Sequence, residues 1–323
     1  MNEPYFVTGA LGCIGAWVVK TLVDRGDVPV VFDLSTDRRR LKQVLDEDAL
    51  ANVRFVQGDI TDLGAVTKAV AGSEAKKIVH LAGLQVPFCK ADPALGAAVN
   101  VVGTVHLFQA AHELALERVV YASSAAVYGP PESDAAPDER AACEPATHYG
   151  VYKRANEGSA RIFYQDDGVS SIGLRPLTVY GVGRDQGLTS GPTRAMKAAV
   201  VGRRFTIPFS GATDFNYVAD TAAAFLACAD RGPEGAHVYN LHGDSLEVER
   251  IAETIDRFAP EENRGLVSVD GPPLPIPPEL DGAALRRALP DLELTPLERG
   301  VAETMERFRA LQERGDLDLR DLV

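Results

Sequence analysis

The sequence has little of what staples a fold or holds a metal. Its four cysteines, Cys13, Cys89, Cys143 and Cys228, lie far apart. None belongs to a CxxC pair and no histidine stands at metal-ligand spacing, which excludes a disulfide framework and a zinc site and predicts reduced thiols. No apolar run reaches the roughly 20 residues that span a bilayer; the most apolar stretch, VADTAAAFLACAD, is interrupted by aspartates. Positive charge is scarce as well, with 33 Lys and Arg against 46 Asp and Glu and a formal net charge of −13. The acidic residues are spread along the chain, so they favour solubility and disfavour non-specific nucleic-acid binding. The one compact basic run, Arg38-Arg39-Arg40, reads as a solvated surface. The first apolar run starts near Pro4, so no leader peptide is expected. A cytoplasmic protein with no nucleic-acid or membrane partner is expected.

What the chain does have is a regular alternation of strand and helix patterns. PYFVTG is followed by a helix over Cys13 to Arg25, VPVVFD by a helix after Ser35, VRFVQGD by a helix around Leu63 to Ala71, and then KIVHLAG. A helix near Pro93 to Leu116, the strand RVVYASS, a helix from about Tyr149 and the strand SSIGLRP continue the series. Strands spaced by helices imply βαβ units and a parallel sheet, so the expected fold is α/β, a doubly wound Rossmann-type sheet with a smaller C-terminal lobe. Past residue 180 the rhythm breaks, and GPPLPIPPELDG is too rich in proline for a helix or a central strand. The division expected is a dinucleotide domain over 1–176 and a substrate lobe over 177–323, with a segment near 215–242 returning to the main domain.

In YFVTGALGCIG, Gly9, Gly12 and Gly15 sit between a strand and a helix. Glycines there permit a tight turn, close approach of a pyrophosphate to backbone N–H groups, and packing of helix on sheet. Leu11, Cys13 and Ile14 lie between them as further backbone donors. Because GxxGxxG departs from the usual GxGxxG, a plain packing turn competes until a second feature is added. That feature is Asp33, 24 residues after Gly9 at the end of VPVVFD. A carboxylate there accepts from both adenosine ribose hydroxyls and repels a 2′-phosphate, so NAD is favoured over NADP. Arg38 to Arg40 are within reach of a 2′-phosphate and are the counter-argument. Asp59 in VQGDITD is either an adenine-edge contact or a helix cap.

YGVYK places Tyr149 and Lys153 four residues apart on one helical face. An ammonium beside a phenol stabilises the phenolate, and a nicotinamide's positive charge acts in the same direction, which makes Tyr149 a candidate general base. Ser124, in VVYASSAAVYG, supplies a hydroxyl to orient the reacting oxygen, with Ser123 as the fallback.

Taken in order, TGALGCIG, GDI, HLAG, VNVVGT, ASSAAVYG and YGVYK make the chain resemble an extended short-chain dehydrogenase/reductase of the NAD-dependent epimerase/dehydratase family over nearly its whole length. The resemblance implies that Asp59 and Ile60 meet adenine and that Leu81, Ala82 and Gly83 line the dinucleotide. It implies that Asn100 holds the active-site backbone, that Lys153 also binds nicotinamide ribose, and that Pro176 lies near the nicotinamide. It implies a homodimer through the helices near 93–116 and from 149, with Val105, Leu107, Phe108, Ile162 and Phe163 as candidate contacts.

The departures from the family pattern matter as much. Ala125 and Ala126 stand where dehydratases carry an acidic residue, which argues against dehydration. Thr178 and Thr213 replace an asparagine and an arginine used on a nucleotide diphosphate, and a hydroxyl cannot replace a bidentate guanidinium. A small sugar or sugar acid is therefore the expected substrate, contacted by Gln85, Ser124, Ala125, Tyr149 and Thr178. A rebuilt anion site at Arg184, Thr189, Ser190 and Arg194 competes with a solvated lid loop. Cys89 and His80 read as core residues, while His148 neighbours the cleft.

The activity expected is NAD-dependent hydride transfer at a secondary hydroxyl of a carbohydrate-like molecule, as an epimerase or a dehydrogenase. The alternatives are a UDP-sugar 4-epimerase-like enzyme and, from another class, a non-catalytic NAD-binding regulator.

Overall fold

The computed structural model describes residues 2–322 except 132 and 134. Twelve strands are present among the described residues: β1 (Pro4–Thr8), β2 (Val28–Asp33), β3 (Arg54–Gln57), β4 (Lys77–His80), β5 (Arg118–Ala122), β6 (Ser171–Arg175), β7 (Thr178–Tyr180), β8 (Phe205–Ile207), β9 (Ala212–Tyr217), β10 (Ala236–Asn240), β11 (Asp244–Glu247) and β12 (Val267–Val269). Seven of them form one sheet in the order β10-β6-β5-β4-β1-β2-β3, every pairing parallel. Helices cover both faces, which is why strands such as PYFVT are apolar without alternation: Tyr5, Phe6 and Val7 are all fully buried. The strand order reverses between β1 and β4, and Thr8 and His80 are register partners there. That switch point opens the crevice in which ligands of this architecture sit.

The chain leaves the sheet after β6. A three-stranded sheet, β11-β9-β7, and a parallel β8/β12 pair build the smaller lobe. The helix Val218–Arg231 then packs back on the helix Cys13–Asp24, and β10 joins the edge of the main sheet beside β6. The proline-rich 271–282 forms neither helix nor strand beyond one bridge from Pro273 to Ser210.

One helix differs from its expected form. The segment Pro93–Glu113 is helical throughout, but Ala98–Val102 is a π-turn centred on Asn100; such bulges gather at functional sites. It is also, against the reading of the sequence, long and apolar enough to cross a membrane by length and composition, with mean hydropathy 1.4. Its packing is that of a core helix: Leu107 and Phe108 are fully buried with Phe6, Ile78 and Tyr121. The helix His148–Asp167 is capped by the Thr147 hydroxyl accepting from the Gly150 amide, and it ends at Gly168 in the left-handed region.

Candidate active site

The glycine loop is shaped by close approach. Gly9 adopts φ +64°, and a Cβ on it would lie 2.4 Å from the Ala82 nitrogen; one on Gly15 would lie 2.4 Å from the Gly9 carbonyl oxygen. Only glycine fits at either place. Two loop amides are already used, Gly12 N–H on the Gly9 carbonyl at 3.0 Å and Leu11 N–H on Asp33 Oδ2 at 3.1 Å. The expectation that Leu11 and Gly12 offer free donors is thereby corrected. The helix starting at Cys13 has no side-chain cap and no acidic residue in its first turn. Its Cys13 and Ile14 amides are orphan donors by helix geometry and are suited to an anion.

Asp33 is fixed by two amides, Leu11 on Oδ2 and Ser35 on Oδ1 at 3.0 Å. It sits beside the glycine loop with further acceptor lone pairs to offer. Two of the three arginines are not a solvated face: Arg39 and Arg40 both pair with Asp185, at 3.3 and 2.7 Å. Arg38 is exposed, its guanidinium 3.5 Å from the centre of the Phe55 ring. The commitment of Arg39 and Arg40 weakens the objection to NAD. Asp59 Oδ1 accepts from the Thr61 amide and hydroxyl, both at 2.8 Å, as a local turn cap. Ile60 is buried against Gly103, where a Cβ would approach within 2.8 Å.

At the other end of the cleft, the amides of Leu81 and Ala82 donate to the Thr8 carbonyl and hydroxyl. Gly83 is glycine because a Cβ would come within 2.7 Å of Asn100 Oδ1. Asn100 donates to the Gly96 and Leu84 carbonyls at 3.0 and 3.2 Å. Its own Oδ1 is buried without a partner. Lys153 is buried, donates to the Ala122 carbonyl at 2.7 Å, and holds Nζ 5.6 Å from the centre of the Tyr149 ring. Burial pulls its pKa down to about 8, against an upward pull from the Cys89 thiol.

Burial pushes the half-buried Tyr149 phenol up, and a hydrogen bond with Ser124 and the charge of Arg184 oppose that rise. In the protein alone the phenol is thus raised, where the sequence predicts a lowered one. Ser124 Oγ also accepts from the Ala126 amide at 3.2 Å. Ser123 is excluded as an alternative, because its hydroxyl is spent on Glu157 at 2.6 Å. Pro176 is buried, and its carbonyl accepts from the Ala125 amide at 3.0 Å.

The proposed substrate residues separate into two groups. Gln85, Arg184 and Thr189 converge: Arg184 donates to the Thr189 hydroxyl at 3.0 Å, and a Cβ on Gly187 would lie 2.1 Å from Gln85 Oε1 and 3.2 Å from Arg184 Nη2. Gln85 Oε1 and Arg184 Nε are both buried and unpartnered. The other group is buried and occupied within the protein. The Thr178 and Thr213 hydroxyls bond each other at 2.8 Å and are fully buried. The Ala125 methyl packs with Val127 and Leu177 in a small core, and Ser190 is buried at the start of the helix Gly191–Val200. Arg194 holds the Asp321 carbonyl at 2.7 Å, away from the site. His148 is exposed and stacks on Tyr152. His80 bridges the Thr8 and Thr104 hydroxyls at 2.7 and 2.9 Å, and burial lowers its pKa to about 3.

A buried network beneath Ser123 was not legible in the sequence. Arg175 and Glu157 pair through two contacts of 2.7 Å, and Arg175 donates to the Tyr128 hydroxyl at 2.6 Å, which donates in turn to Asn240 Oδ1 at 2.7 Å. It ties the serine strand, the catalytic helix and the end of β10 together.

Comparison with known proteins accords with this geometry. The NAD dependent epimerase/dehydratase family model matches residues 5–241. A UDP-glucose 4-epimerase of Mycolicibacterium smegmatis is 30% identical, covering 94% of this chain and 97% of its own length. MoeE5 in complex with UDP-glucuronic acid and NAD superposes with TM-score 0.79 at 26% identity, over 95% of this chain and 99% of that one. The fold is also that of the Thermus thermophilus UDP-glucose 4-epimerase complexed with NAD, with TM-score 0.81 at 23% identity over 95% and 99% of the two chains. With the glycine cradle, Asp33 and the Ser124, Tyr149 and Lys153 cluster in place, the chain belongs to the NAD-dependent epimerase/dehydratase family and is an NAD-dependent enzyme.

Proposed function

We propose that the protein interconverts a UDP-sugar and its 4-epimer while keeping its NAD. The observation that carries this reading is the convergence of Ser124, Tyr149 and Lys153 at the end of the crevice floored by Gly9 and Gly83. Bound NAD supplies the hydride acceptor and donor at nicotinamide C4. Tyr149 takes the hydroxyl proton as the carbinol carbon is oxidised, and returns it to the oxygen when that carbon is reduced on its other face. Ser124 holds the oxygen, and Lys153 favours the phenolate. The relatives' substrates support a sugar nucleotide. The preference for a small free sugar rested on Thr178 and Thr213; it gives way to the relatives, which are UDP-sugar epimerases, and since those threonines bond each other, a diphosphate has to be held by other groups.

Within this class a uronic acid sugar is favoured by one observation. Arg184 brings a buried, unpartnered Nε close enough to Tyr149 to act on its charge, which suits a carboxylate beside the reacting carbon. Nuclear magnetic resonance of UDP-glucose, UDP-galactose and UDP-glucuronate incubated with the enzyme tests both statements. The expected result is a 4-epimer without accumulating NADH, with UDP-glucuronate converted fastest. Stoichiometric NADH and a keto product, or no binding of UDP by calorimetry, overturn the proposal.

A homodimer through the helices Pro93–Glu113 and His148–Asp167 is also proposed, supported by exposed Leu95, Val102, Val151 and Ile162. Leu107 and Phe108, expected as contacts, face the core instead. Light scattering of Ile162→Arg beside the unaltered protein tests it, with a halved mass expected. A cytoplasmic location is supported by four free cysteines.

A further inference from the structure

The loop 181–190 touches both ends of the dinucleotide crevice. At the reaction end it presents Arg184 and Thr189. At the other end Asp185 accepts from Arg40 at 2.7 and 3.2 Å and from Arg39 at 3.3 Å. Arg40 also donates to the carbonyl of Leu11 at 3.0 Å, inside the glycine loop. A second tie lies three residues earlier, where the Trp17 indole N–H donates to the Val182 carbonyl at 2.9 Å. Between these ties Gly183 rests on the glycine loop, its Cβ position 3.7 Å from Cys13 Cα. The C-terminal segment braces the arrangement through Arg39 and Asp318 at 3.4 Å. The side chains of Asp185 and Arg40 are only 10% and 16% exposed, so solvent weakens the pair less than it does a surface ion pair.

The loop is thus pinned to the segment that bears the Cys13 and Ile14 amides suited to an anion. We propose that the Asp185 and Arg40 ion pair, with Arg39, is a retention latch: it holds NADH in the crevice between the two half-reactions and so sets the outcome as epimerisation rather than net oxidation. Without the latch, NADH departs after the first hydride transfer and leaves the oxidised keto sugar behind, one NAD being consumed for each hydroxyl oxidised. Arg39 and Arg40 thus act as positioning residues for the loop and not as ligands for a 2′-phosphate. Retention bears on the outcome only if the epimerase reading holds, whereas the dissociation rate is measured with no sugar present.

The full-length protein is loaded with NADH and mixed with excess NAD, and the loss of bound-NADH fluorescence gives the dissociation rate. Asp185→Asn is expected to speed release about tenfold or more, as loss of a charge-assisted, partly buried pair should. Asp185→Glu is expected to stay within about threefold of the unaltered protein, since it keeps the charge. Asp291→Asn, which breaks an exposed pair with Arg231 of 3.5 Å, is the control and should change nothing. An unchanged rate in Asp185→Asn, or an equal effect in the control, overturns the latch. A protein that retains NADH but makes no 4-epimer overturns the proposed reaction instead.

Discussion

Lys153→Met separates what burial does to the catalytic lysine from what the active site asks of it. In the folded protein Lys153 is 4% exposed, and its one bond is to the Ala122 carbonyl. Desolvation lowers its pKa from 10.5 to about 8. Between these values the unfolded chain holds a proton that the folded chain has released, so stability contributed by this site rises with pH across that window. The slope is at most about 1.4 kcal/mol per pH unit, which gives a gain of about 2 to 3 kcal/mol by pH 10. Methionine has a similar length and does not titrate. At pH 7 the variant should therefore be the more stable of the two, because it removes a buried ammonium, and its lead should shrink as pH rises. Urea unfolding of both proteins, stripped of NAD and followed at pH 7 and pH 10, yields the difference directly, with the tyrosines and surface lysines cancelling. A difference that stays flat with pH would refute the assignment of a desolvated lysine. A difference changing in the opposite sense would mean that a carboxylate or phenolate holds Lys153 charged.

Three further outcomes are expected. Tyr149→Phe should keep the fold and NAD binding, measured by calorimetry, while turnover falls about a hundredfold or more for want of the transferable proton. Glu157→Gln leaves Arg175 buried without its counter-charge and should cost about 3 to 5 kcal/mol, seen as a melting temperature lower by on the order of 10 °C; an unchanged value would show that the network contributes nothing. Thr213→Val strands the buried Thr178 hydroxyl and should cost about 1 to 3 kcal/mol without altering UDP affinity, whereas a large loss of affinity would return these threonines to the substrate site.

The parts of this protein that read directly from its sequence are those whose cause is local. Gly15 stands within a few residues of the atoms that exclude a side chain, and Tyr149 and Lys153 share a face because one helix spans both. Asp33 closes an apolar strand at a recognisable distance from the loop. Long-range pairings were not readable in the same way. Glu157 meets Arg175 across two elements, Asp185 meets Arg40 across 145 residues, and Thr178 meets Thr213 across 35. In each case the partner is another part of the chain that only the tertiary fold brings near. Arg39 and Arg40 show the bias most clearly, since a run of charge looks solvated until its carboxylate, Asp185, is found in a loop of the other lobe.

The same reasoning bears on how the substrate is gripped. A buried arginine at position 213 would carry a desolvation cost of several kcal/mol that an anionic ligand must offset. The threonine pair removes both the cost and the grip, because two hydroxyls at 2.8 Å satisfy each other and leave nothing for a diphosphate. Charge for an anionic substrate must then come from a residue that stays unpaired. Arg184 meets that condition, its partner being the neutral Thr189 hydroxyl, while Arg194, Arg39 and Arg40 are engaged elsewhere. One loop therefore carries the cation proposed for an anionic sugar and, at the adjoining residue, the carboxylate that pairs with Arg40. On the two proposals made above, substrate recognition and cofactor retention rest on adjoining residues of one loop.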